Sequence, residues 1–211
     1  MISIGVDLGQ RRDPSTIAVI ERPEWLAGQF HMTHPLHGTR WHTEGRDISS
    51  QRLERGAMIV RYLERIKLGT PYSEVAKRVA QITRHPCLGN ARRRLLVDAT
   101  GVGAPVIEML REARPGCPLT GVTITGGSAA HASGDRESVP RVDLLATLQA
   151  ALENGQLRIL RGMKETDRLL KEMVSLGTGE HDDLVMAVAL AAWGAKTGVM
   201  YGFRSDFFPV Y

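Results

Sequence analysis

The chain has 211 residues, 43% of them hydrophobic, with 27 Lys and Arg against 23 Asp and Glu for a formal net charge of +4, and its pI is near 9.3. A chain of this size buries about 70% of its unfolded surface, so one compact domain needs no staples, and the widely separated Cys87 and Cys117 exclude a disulfide framework or zinc knuckle. The longest apolar stretch, Leu184 to Gly194, is about half the roughly 20 residues of a bilayer span, and no secretory leader opens the sequence, so a cytoplasmic protein without a membrane partner is expected.

In chain order, Ile2 to Leu8 and Thr16 to Glu21 are β-branched apolar runs around a cluster of turn formers, which predicts a β-hairpin. A third strand is expected between Phe30 and Thr43, interrupted by Pro35 and Gly38. From Ser49 to about Arg84 the apolar spacing reads as helical: Leu53, Ala57, Val60 and Leu63, then Val75, Val79 and Ile82 after a break at Thr70-Pro71. Arg94 to Asp98 reads as a buried strand, followed by the Thr100-Gly-Val-Gly103 turn and a helix carrying Val106, Leu110 and Ala113.

Leu119 to Thr125 is expected to be another strand, Gly126 to Ser138 a mobile loop, and Val142 to Leu152 a helix. Gln156 to Leu160 reads as a short strand. Glu165 to Leu176 reads as an amphipathic helix with Leu169, Leu170, Met173 and Val174 inward, and His181 to about Lys196 as a nearly all-apolar final helix. Antiparallel strands, a helical crossover, then alternating strands and helices define an α/β fold with a mixed sheet. That domain spans residues 1–198. Residues 199–211 form a tail holding five of the eight Phe and Tyr residues (Tyr201, Phe203, Phe207, Phe208 and Tyr211), expected to pack back on the domain.

Asp7 ends the first strand, and Asp98 ends the strand after the crossover. As parallel neighbours about 4.8 Å apart, these strands would bring both carboxylates to the carboxyl edge of the sheet, where open α/β sheets place ligands. A third acid, Asp182 or Asp183, opens the last helix; adjacent helical residues point about 100° apart, so only one of the two is expected to face the others directly. Each Asp alone reads equally well as a turn former or helix cap. Together they form a cluster that cannot stay fully ionised without cations, and oxygen-only ligands select Mg²⁺ or Mn²⁺.

Gly5-Val-Asp-Leu-Gly9 with its return through Thr16-Ile-Ala-Val-Ile20, then Leu95-Leu-Val-Asp-Ala-Thr-Gly-Val-Gly103, and finally His181-Asp-Asp-Leu-Val-Met-Ala187 resemble the three acidic motifs of phage terminase large-subunit nuclease domains, in order and in spacing. Ser138 to Leu145 with Gly155 to Ile159 is similar to the segment before that family's last helix, so the resemblance spans nearly the whole chain. It implies a ribonuclease-H-like fold, metal held by Asp7, Asp98 and Asp183 with Asp182 alongside, and two-metal-ion cleavage of double-stranded DNA with little sequence specificity. Terminases work with a portal, a small subunit and an ATPase domain; the phosphate loop of such a domain has no counterpart in this sequence.

Arg11 and Arg12 in the first turn and Arg136 and Arg141 around the glycine-rich loop are the candidate phosphate contacts, with Lys164, Arg168 and Lys171 on one helical face as further cations. Arg92-Arg93-Arg94, at the other end of its strand from Asp98, reads as a surface run. His31, His34, His37 and His42 lack the spacing of a zinc site, and His181 is the one histidine placed to touch the acids. Three rival readings remain at this level: an actin-like or sugar-kinase-like lobe, a Holliday-junction resolvase, and a non-catalytic DNA-binding module.

Overall fold

A computed structural model of the chain describes residues 1–9, 13–26, 29–31, 56–101, 103–177 and 181–200. Strands β1 (Ile2–Asp7) and β2 (Thr16–Glu21) form the expected hairpin, paired from Ile2 with Glu21 to Asp7 with Thr16. The short strands β3 (Glu24–Leu26) and β4 (Gln29–His31) make a separate two-stranded ribbon. Beyond His31, the strand expected up to Thr43 falls outside the described residues.

The third antiparallel strand of the main sheet is β5 (Met58–Arg65), which pairs with β2 through an irregularity at Val19 and Ile20. This corrects the helix expected to begin at Ser49. Met58 to Val60 is buried at every position, so the alternation that marks a half-exposed strand is erased, and the three-residue spacing of Ala57, Val60 and Leu63 imitates a helical face. Helix α1 (Tyr72–Thr83) then begins directly after Pro71, with Val75, Val79 and Ile82 buried as anticipated.

Parallel strands follow. β6 (Arg93–Asp98) lies beside β1, with Val6 opposite Val97, and helix α2 (Gly103–Glu112) leads to β7 (Leu119–Thr125). The segment expected as a mobile loop contains a second hairpin, β8 (His131–Ser133) with β9 (Arg136–Pro140), and β9 adds to the sheet parallel to β7. Its glycines mislead in composition: Gly134 supplies the positive φ of 60° in the turn. Helix α3 (Arg141–Glu153), edge strand β10 (Leu157–Ile159), helix α4 (Thr166–Val174) and helix α5 (Asp183–Met200) complete the described chain. The eight-stranded order is β10-β5-β2-β1-β6-β7-β9-β8.

Two apolar clusters separate the layers. Ile2, Ile4 and Val6 of β1 and Leu95 and Val97 of β6 face α1 and α2. Leu96, Ala18 and Ile20 face the other way, toward α3, α4 and α5. By the two-residue period of a strand, Ser3, Gly5 and Asp7 therefore share the α5 side of the sheet, as do Leu96 and Asp98. Helix α5 lies between the sheet and α3 and α4, which is why it is apolar all round.

Helix α4 buries Thr166, Leu169 and Glu172 and leaves Leu170 and Val174 exposed, so its inward face is rotated from the one expected. Arg93 and Arg94 are also more than a surface run. Arg93 donates to the Thr83 carbonyl at 2.7 Å, and Arg94 pairs with Glu137 and donates to Thr197 at 2.9 Å. Cys87 and Cys117 are not joined in a disulfide. Among the described residues, no helix is long and apolar enough to cross a membrane.

Candidate metal centre

The position of α5 on the sheet is set by absent side chains. A methyl group at Gly5 would lie 2.1 Å from the Ala187 carbonyl oxygen and 2.6 Å from the Ala191 nitrogen, so the helix backbone rests directly on β1. At the far end, a methyl at Gly194 would meet Leu96 and the Ser3 hydroxyl at 2.4 Å. Helix and strand thus run antiparallel in close contact. One turn before Ala187, the helix start delivers Asp183 to the end of β1, where Asp7 stands.

Asp7 and Asp98 stand at matching ends of neighbouring parallel strands, so their carboxyl groups crowd one another. The Thr100 N–H donates to Asp98 Oδ1 at 2.7 Å, and the Ile124 N–H donates to Thr100 Oγ1 at 2.8 Å, fixing the Asp98 rotamer through the next strand. Asp183 is buried, and the Thr16 hydroxyl donates to its carbonyl at 2.8 Å. Among the described residues its Oδ2 has no hydrogen-bond partner, and the Arg65 guanidinium stays 3.8 Å away. One ligand atom each from Asp13, His181 and Asp183 lie within 4.8 Å of one another, with His181 Nδ1 2.9 Å from Asp13 Oδ1.

Asp182 turns elsewhere. Its carboxylate pairs with Arg141, and its carbonyl accepts the Met186 N–H at 2.9 Å, so it sits at the cap of α5 on the flank of the cluster. The α5 terminus has a further cap: Glu172 Oε2 accepts the N–H groups of Leu184 at 2.9 Å and Val185 at 3.4 Å. Sequence reasoning missed Glu172 because the rotated face of α4 hid it among solvent-facing positions. It also missed Asp13, which reads as one turn former among several.

The cluster's electrostatics follow from burial first and crowding second. Burial is the first cause that pushes the Asp7 carboxyl well above the ordinary carboxylate range, followed by repulsion from Asp98, Asp183, Asp182 and Asp13. Burial also raises Asp98, against the Thr100 hydrogen bonds that hold it down. Asp183 is pushed up to about 6, by burial first and then by Asp13, with His181 opposing. Groups raised in the folded state bind more protons there than in the unfolded chain, so metal-free stability is greatest below the unfolded value and declines as pH rises through the folded one. We therefore expect the unfolding temperature in EDTA to fall between pH 4.5 and pH 7.5, through the window opened by the carboxylate shift to about 6. Added Mn²⁺ should reverse most of that fall at the upper pH; a flat EDTA profile over the same range would contradict the crowded-acid description.

Of the cations singled out in the sequence, Arg141 is brought to the cluster through Asp182. Arg136 is exposed at the start of β9, two strands away from Asp98, and is not brought to it. Arg11, Arg12, His34, His37 and His42 lie outside the described residues, as does the aromatic segment 201–211.

An eight-stranded mixed sheet opening with an antiparallel β1–β2–β5 meander, flanked by helices on both faces and carrying acids at the carboxyl ends of β1 and β6, is a ribonuclease-H-like fold. More particularly, it is the fold of terminase large-subunit nuclease domains. The chain is similar to the large terminase nuclease of thermophilic phage G20c, a structure with bound zinc, at a TM-score of 0.53 and 19% identity, covering 90% of this chain and 79% of that one. It is also similar to the human cytomegalovirus terminase nuclease domain, soaked with manganese, at a TM-score of 0.53 and 13% identity, over 92% of this chain and 84% of that one. The RuvC structure of Thermus thermophilus aligns more weakly, at 0.41. No family model and no curated protein matches the sequence.

Proposed function

We propose that the chain is a metal-dependent endonuclease that cuts double-stranded DNA with little sequence specificity, as in the trimming of concatemeric phage DNA during packaging. The observation that carries this reading is the meeting of Asp7, Asp98, Asp13 and Asp183 at one edge of a terminase-nuclease-like sheet. Asp183 Oδ2, which has no hydrogen-bond partner among the described residues, and the adjacent carboxyls of Asp7 and Asp98 form a donor set suited to hard divalent cations. Asp7, Asp98 and Asp183 would hold Mg²⁺ or Mn²⁺, with Asp13 and His181 as additional ligands and Asp182 beside them. The presence of zinc or manganese in the two similar structures supports a divalent ion here.

Bound in this pocket, a pair of such ions would activate water on one side of a phosphodiester and neutralise the leaving oxygen on the other. The protein's own contribution is positional. Thr100 and Ile124 lock Asp98, and the backbone contact at Gly5 sets the reach of Asp183. The positive end of the α5 dipole lies beneath the cluster and offsets part of its charge. Arg141, on the flank, is placed to meet a phosphate when Asp182 releases it. An ATPase domain, portal and small terminase subunit are the partners this reading requires for packaging.

Incubating supercoiled plasmid with the protein in Mn²⁺, Mg²⁺ or EDTA tests it. Nicking and linearisation in the presence of either metal, silent in EDTA, are expected; plasmid left intact under all three conditions would overturn the assignment.

A further inference from the structure

Beside the acidic pocket opens a cleft of about 300 Å³. Its walls come from three separate parts of the chain: Pro14, next to Asp13; the residues leaving β5 from Arg65 onward; and the approach to α4 at Lys164, Glu165 and Arg168. Arg65, Lys67, Lys164 and Arg168 supply four positive charges against the single acid Glu165, so the cleft favours an anion.

Two observations join this cleft to the acidic pocket. Arg65 reaches within 3.8 Å of Asp183 Oδ2, while its Nε is buried without a hydrogen-bond partner among the described residues. Arg168 lines the cleft from α4, one turn before Glu172, whose carboxylate caps the start of α5 beside Asp183. The floor is firm, because the Ile66 N–H donates to the Ser15 carbonyl at 2.9 Å and ties the exit of β5 to the β1–β2 connection. Lys67 and Lys164 stand at the rim in solvent. Lys164 is 3.8 Å from Glu165 yet keeps 86% of its side chain exposed, so that pair holds it only weakly.

A polymer carrying a phosphate at the acids would lay its neighbouring phosphates in this cleft. Resting on the nuclease reading above, we propose that the cleft holds the sugar–phosphate backbone of the DNA on one side of the scissile bond, with Lys67 and Lys164 contacting phosphates and Arg65 bridging cleft and acidic pocket. Cation contacts to phosphate position a duplex without reading its sequence, which matches an enzyme of low specificity. Arg141, across the cluster on the Asp182 side, would hold the backbone on the other flank.

The test is the binding of a labelled duplex to the full chain in Ca²⁺, followed between about 50 and 200 mM salt, for the wild type, the double variant Lys67→Ala/Lys164→Ala and the control Arg92→Ala. Losing two phosphate contacts should reduce the slope of log affinity against log salt by about 2. In plasmid cleavage the same variant should lose activity through a higher KM. Arg92 is exposed at the opposite end of β6 from Asp98, and its replacement should change neither quantity. A double variant that keeps the wild-type slope, while the wild type binds and cuts DNA, overturns the cleft assignment and leaves the nuclease reading intact. Wild-type protein that neither binds nor cuts duplex overturns both. Circular dichroism establishes that the double variant is folded, as expected for two rim side chains.

Discussion

Asp7→Asn is expected to abolish metal-dependent cleavage, by about 10³-fold or more, because the loss of several kcal/mol of charge stabilisation in the transition state corresponds to that factor. The same substitution should raise the unfolding temperature of the metal-free protein by about 3 °C, equivalent to roughly 1 kcal/mol in a chain of this size. Both effects have one cause. Asp7 is half-buried beside Asp98, Asp183, Asp182 and Asp13, and its charged form is disfavoured first by desolvation and then by every one of them. Asparagine keeps the shape and removes the repulsion, so folding gains what ion binding loses. Plasmid nicking and thermal denaturation in EDTA check the two halves, and an Asp7→Asn protein that still cuts DNA would remove Asp7 from the mechanism.

Gly5→Ala should be the most damaging single methyl group in the sheet, costing about 3 kcal/mol and lowering the unfolding temperature by about 10 °C. The added carbon would meet the Ala187 carbonyl oxygen at 2.1 Å and the Ala191 nitrogen at 2.6 Å, both backbone atoms of a buried helix that no rotamer change can move aside. Relief requires α5 to lift from β1. That movement carries Asp183 away from Asp7, so cleavage should fall with stability even in the fraction that remains folded. Gly126→Ala is the matched control, since a methyl there meets nothing within 4 Å. Equal denaturation midpoints for the two variants would show that the helix–strand contact is not what sets the geometry.

These expectations depend on features that were unequally visible in the sequence. Asp7 and Asp98 were legible because each closes a short apolar run followed by glycine, and a parallel pairing of such runs places their ends together. The convergence of Asp183 was legible only in part. The last helix is too apolar to lie anywhere but on the sheet, yet its exact seat depends on Gly5 and Gly194, which composition cannot distinguish from turn glycines. Asp182, at the cap, turns toward Arg141, and Asp183, the first helical residue, toward Asp13 and His181.

The misreadings have physical reasons as well. In β5, burial on both faces removed the alternation that identifies a strand. In β8 and β9, a glycine- and serine-rich stretch has the composition of a loop although its second half pairs with β7. Glu172 escaped notice because a carboxylate on a helix is ordinarily solvent-facing. Here it is turned inward by its hydrogen bonds to Leu184 and Val185.

Whether these acids hold divalent cations together is the claim on which cleavage, the pH response and the basic cleft all turn. Anomalous diffraction from crystals soaked in Mn²⁺ addresses it most directly. Manganese peaks within bonding distance of Asp7, Asp98 and Asp183 are the predicted result. Well-ordered crystals whose only manganese peaks lie away from these three carboxylates, or which show none, would contradict it.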